Sequence, residues 1–149
     1  MNYDLSFDEK NMCRKIGSVF ELAAQAGCFP PEAVKKWCLS QTAQGIYELN
    51  ESLICQSKLY IFHDFQREGL PCNITTDIEE DLMYWAGYII TYASFALRLS
   101  PKQLFSAYDL VSFIGSYDVL HTLSSDRMTE ELVTQYDILK NTKSKLWGE

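Results

Sequence analysis

Apolar residues recur along this chain at helical spacing, and a serine or proline opens most of the runs. Ser6-Phe-Asp-Glu9 has the form of a capping box, in which the serine oxygen accepts an amide proton while the glutamate reaches back. Met12, Ile16, Val19, Phe20 and Ala23 follow on one helical face, and Gly27 can end that helix in the left-handed conformation. Pro30-Pro31-Glu32 starts a second helix, with Val34, Trp37, Cys38 and Ile46 inward and Gly45 as an interruption. Asn50 caps a third, carrying Leu53, Ile54, Leu59, Tyr60, Ile61 and Phe65, until Gly69-Leu-Pro71 stops it. Residues 70–75 form a loop between two halves.

The second half is organised around one long apolar helix. Thr76-Asp-Ile-Glu79 reads as another capping box, and Asp77, Glu79, Glu80 and Asp81 crowd its first turn, where negative charge suits the helix dipole. Leu82, Trp85, Ile89, Tyr92 and Ala96 lie on one face, and Tyr84, Tyr88, Phe95 and Leu99 on the next. So wide an apolar surface must be covered by other helices, of the same chain or of a second copy in a homo-oligomer. Leu82 to Leu97 is too short for the roughly 20 residues of a membrane span and carries Thr91 and Ser94, so no membrane association is predicted.

Ser100-Pro-Lys-Gln103 is a third capping box, followed by Leu104, Phe105 and Tyr108, and then by Val111, Phe113 and Ile114. Residues 116–122 predict one short helix. Ser125 or Asp126 opens the last, with Leu132, Val133, Tyr136 and Leu139 inward and a basic tail after Lys140. No period-two pattern of strand length occurs. The fold class is therefore all-α, a compact bundle of about six to seven helices around a central apolar helix at residues 77–99. It is organised as one domain over residues 1–149 or as two helical halves, 1–70 and 76–149.

Charge narrows the function. The net charge is −7, and residues 76–149 carry six basic against eleven acidic side chains. Such a chain repels a phosphate backbone and suits a basic protein partner. Residues 31–46 have the length of a helix-turn-helix fragment, but Lys35 and Lys36 are its only bases, which disfavours a DNA-binding regulator. The aromatic residues of 82–97 have no interleaved Arg or Lys for stacking on nucleic-acid bases.

Five cysteines, an odd number without C-x-x-C spacing, and only two histidines give no zinc-site pattern; they predict reduced, buried thiols in a cytoplasmic protein. The N-terminus has neither the basic nor the apolar region of a signal peptide. No phosphate loop, nucleophile elbow or metalloprotease motif is present, and nothing implies a cofactor or a metal.

Tyr117, Asp118 and His121 form the best chemical constellation. Asp118 and His121 stand three apart, close enough on a helix for the carboxylate to hold the imidazole, as in general-base devices. A small enzyme using this Asp/His pair is one alternative. The plainer one is that the pair satisfies helix ends or inter-helix hydrogen bonds.

From Asp77 to about Lys140 the chain resembles the bacterial domain-of-unknown-function family 3791. The resemblance rests on the apolar helix through Trp85 and Ile89, on Leu99-Ser-Pro-Lys-Gln-Leu-Phe105, on the sextet Tyr117-Asp-Val-Leu-His-Thr122, and on the helix through Leu132 and Val133. Members of that family are small proteins often encoded beside ADP-ribosyltransferase-like proteins, in neighbourhoods resembling toxin–antitoxin or phage-defence loci. The resemblance implies a non-enzymatic interaction module, the neutralising or accessory partner of a basic ADP-ribosyltransferase-like toxin. The sextet and the negative charge of the second half make Asp118 and His121 the candidate organisers of the binding site, with Tyr117 beside them, and Asp77, Glu80 and Asp81 the candidate contact charges.

Overall fold

Ser6 does cap the first helix: its hydroxyl accepts from the Glu9 amide at 3.1 Å, and the Glu9 carboxylate accepts from the Ser6 amide at 2.8 Å. The computed structural model describes residues 2–72 and 77–140, and those residues form helices with no strand among them. In chain order the helices are α1 (Phe7–Gln25), α2 (Pro30–Cys38), α3 (Gln41–Tyr47), α4 (Glu51–Ile54) and α5 (Lys58–Gln66), then α6 (Glu80–Leu97), α7 (Pro101–Ala107), α8 (Leu110–Gly115), α9 (Tyr117–Leu120) and α10 (Ser125–Gln135). An isolated antiparallel bridge pairs Tyr108 with Asp137.

The bundle is built on α1 and α6, which make its most extensive contact. Small residues let their backbones close. A Cβ on Gly87 would lie 2.7 Å from the Ile16 carbonyl oxygen and 2.8 Å from the Phe20 ring. On α1, Gly17 lies under the Tyr84 ring. Around this pair, α5 packs on α1, while α7, α8 and α10 pack on α6. Met83, Trp85, Ala86, Ile89, Ile90 and Phe95 of α6 are all buried within the single chain, so its apolar surface needs no second copy to cover it. Edge-to-face aromatic pairs extend the core sideways: Phe20 on Trp37 at 5.7 Å and Trp37 on Phe65 at 5.1 Å.

Several predicted elements differ in detail. The second helix is two, because Ser40 turns its hydroxyl to the Ala43 amide (3.0 Å) and starts α3; Gly45 lies inside α3. The third is also two, since Ser57 caps α5 through the Tyr60 amide. That break leaves Leu59 and Tyr60 exposed. The central helix starts at Glu80, with Glu79 as a cap that makes no side-chain bond, so Asp77 precedes it; Thr76 lies outside the described residues. The last helix is capped by Ser124, and Leu139, predicted inward, is exposed because α10 ends at Gln135 and the backbone leaves helical register at Tyr136. The basic tail beyond Lys140 lies outside the described residues.

Nor are all five cysteines free. Cys28 and Cys72 form a disulfide that fastens the turn after α1 to the segment after α5. Cys13 and Cys38 are the buried thiols the pattern predicts, with burial pushing Cys13 up to about 12 and Cys38 also upward. Cys55 is exposed. No helix among the described residues is long and apolar enough to cross a membrane.

Candidate functional site

The single turn of α9 stands beside the N-terminal end of α6, and one aromatic contact joins them. Trp85, one turn into α6, meets the Tyr117 ring edge-on at 5.3 Å. Trp85 is itself fixed: its indole stacks on Phe113 at 5.6 Å, and its N–H is directed at the Met128 sulfur at 3.0 Å. Tyr117 therefore projects from a rigid support.

Around its hydroxyl the structure gathers negative charge from two separate stretches of sequence. Partial burial, with the charges of Asp81, Glu79 and Asp118, holds the Tyr117 phenol above its ordinary range. Glu79 and Asp81 belong to the acidic run and Asp118 to the sextet, so two features about 40 residues apart in sequence form one surface. Asp77 and Glu80 are exposed on the same run, but they are not among the charges acting on Tyr117. Glu79, which the contact set inferred from sequence leaves out, is one of them. Val119 is 75% exposed on the same turn, an apolar residue beside the charges.

The predicted Asp118–His121 pair does not form. His121 Nδ1 lies 2.6 Å from the Tyr117 carbonyl oxygen, and because a carbonyl can only accept, Nδ1 carries the proton in that bond. The imidazole stacks on the Tyr117 ring at 4.4 Å and is exposed. Four residues along the turn, the carbonyl is a nearer partner than a side chain three residues away that points into solvent. The sextet thus holds an aromatic stack in place rather than a carboxylate-oriented base. Among the described residues, no group of three or more His, Cys, Asp or Glu side chains converges as a metal site would.

A separate groove of about 880 Å³, mostly apolar, is lined by residues that include Tyr47, Ser100, Gln103, Ala107 and Ile138. Ser100 and Gln103 in its lining place it at the C-terminal end of α6, away from Asp81 in the helix's first turn. In comparisons with known proteins, no family model, no curated protein and no solved structure matches this chain.

Proposed function

We propose that this chain is a protein-interaction module whose docking face is the acidic, aromatic surface made by the start of α6 and by α9. The observation that carries this reading is the contact of Tyr117 with the firmly packed Trp85, which sets the α9 ring beside the acidic start of α6, where Asp81, Glu79 and Asp118 act electrostatically on its phenol. An aromatic anchor ringed by carboxylates is suited to a partner presenting Arg or Lys. Charge complementarity would speed the encounter, and the ring, with exposed Val119, would supply apolar contact.

The resemblance of residues 77–140 to family 3791 supplies the context. In that context the module acts in the bacterial cytoplasm as the antitoxin-like or accessory component of a toxin–antitoxin or defence locus, and its partner is a basic ADP-ribosyltransferase-like toxin. A cytoplasmic protein would be exposed to thiol reductants, so the Cys28–Cys72 pair would be found at least partly reduced in cells.

The test is co-expression with the products of the adjacent genes, followed by purification and a growth assay. A stoichiometric complex with a neighbour whose toxicity this chain suppresses would support the reading. A chain that purifies alone and rescues nothing would refute it. For a complex so found, the triple variant E79K/D81K/D118K should associate at least roughly tenfold more slowly at low salt and lose most of its salt dependence. Unchanged kinetics would move the interface elsewhere.

A further inference from the structure

The chain has a net charge of −7, yet a cleft among the described residues gathers three cations. It lies between α1 and the α4–α5 turn, has a volume of about 580 Å³, and is lined by Arg14, Lys15 and Lys58 with Asp8 as the one carboxylate. That volume is within the range of small-molecule sites, roughly 300–1,000 Å³. The manner in which the cations are held is informative. Lys15 Nζ donates to the Ile54 and Gln56 carbonyls at 2.8 and 2.9 Å, and Arg14 donates to the Asn11 side-chain oxygen at 2.6 Å. Neutral acceptors fix the direction of both side chains and leave their charge uncancelled. The ion pairs between described residues, Arg98 with Glu9 and Arg127 with Glu131, use other residues. Tyr84, seated against Gly17, contributes an aromatic wall.

We infer that this cleft binds a small anion, with two or more phosphate or carboxylate charges, between Arg14, Lys15 and Lys58. Three cations against one carboxylate leave the lining at a formal +2, the complement of a dianion. The oriented guanidinium can take two oxygens of one group, and the lysines meet the remaining charge as point cations. The site is distinct from the acidic face, so neither proposal depends on the other.

Cys55 lies in the cleft wall and provides a reporter, because Cys13 and Cys38 are buried. The experiment follows the reaction of Cys55 with the neutral reagent 4,4′-dithiodipyridine in the full chain, read by mass spectrometry on the Cys55 peptide. Inorganic pyrophosphate and citrate are titrated separately, against sodium chloride at matched ionic strength. Saturable protection of at least about fivefold by either anion, absent with chloride and lost in R14Q/K58Q, is the expected result. Protection by pyrophosphate alone assigns a phosphate ligand, and by citrate alone a carboxylate. No protection by either anion, or protection that survives R14Q/K58Q, overturns the site. Thermal unfolding of R14Q/K58Q accompanies the assay, and calorimetric titration of the unmodified protein with the same two anions gives a second readout independent of the thiol.

Discussion

Arg98 Nη1 lies 2.5 Å from Oε2 of Glu9, joining the C-terminal end of α6 to the first turn of α1. The arginine is the C-cap of α6 and sits in the left-handed region, at φ 55°, where glycine is the usual occupant. The Glu9 side chain is only 7% exposed. The backbone thus bears a conformational cost at Arg98, and the side chain it carries neutralises a buried carboxylate.

Two replacements of Arg98 should therefore differ. Arg98→Met removes the partner of Glu9 and keeps the left-handed cost; it is expected to destabilise by about 1–2 kcal/mol. Arg98→Gly removes the same partner but relieves about 1 kcal/mol of backbone cost. Thermal melts should rank wild type above Arg98→Gly and Arg98→Gly above Arg98→Met. A reversed order of the two variants would mean that the left-handed cap is not strained.

Acid should act through the same carboxylate. Burial alone would raise the Glu9 carboxyl, but the Ser6 amide and the Arg98 guanidinium outweigh it, and the group lies below its ordinary 4.5. Glu68 is lowered in the same way, against burial, by the Thr42 hydroxyl and the Gln41 and Thr42 amides. A depressed folded value means that this stability is fully present above about pH 4.5 and is lost as pH falls through the folded value. Urea midpoints measured from pH 7 to pH 3 should fall below about pH 4.5, and Glu9→Gln should flatten that fall while lowering the midpoint at pH 7. An unaltered slope in Glu9→Gln would exclude Glu9 as a source.

The α1–α6 contact makes a sharp steric prediction. At Gly87 an added methyl would meet the Ile16 carbonyl oxygen, which belongs to the backbone and cannot rotate away. Gly87→Ala should cost about 1–3 kcal/mol despite alanine's better helix propensity. At Gly17 the nearest atoms to an added methyl belong to the Tyr84 ring, a half-buried side chain that can swing aside, so Gly17→Ala should cost less. Denaturant titration of the two variants compares them directly.

Removing the disulfide should weaken the fold without disturbing its core. Cys28 and Cys72 are separated by 44 positions, and the chain-entropy model assigns a closed loop of that size about 4 kcal/mol. Reductant, or C28S/C72S, should lower the urea midpoint accordingly and leave the helical circular dichroism at low urea intact. A midpoint that ignores reductant would mean the bond is not formed in solution.

Sequence patterning identified the core of this fold well because its strongest signals are local. The capping boxes at Ser6 and Ser100 form as their side chains dictate. Met12, Ile16, Val19, Phe20 and Ala23 are all buried, as their spacing predicts. The breaks at Ser40 and Ser57 were hidden because apolar spacing runs on across them, from Trp37 to Ile46 and from Ile54 to Ile61. A serine inside such a run reads as helix interior until its hydroxyl is seen on an amide three residues ahead. The pairing of Cys28 with Cys72 and the meeting of Trp85 with Tyr117 are tertiary facts that no local spacing encodes. In the candidate site, the acidic run and the sextet were legible separately; their union through Trp85 was not.

The bond between Cys28 and Cys72 closes residues 28–72 into a covalent ring that contains α2 to α5, with α1 entering at one side and α6 leaving at the other. A protease that cuts at exposed Leu39 or Cys55 would open the ring without releasing a fragment. The nicked protein would still migrate as one molecule, and only a reductant would part it into two.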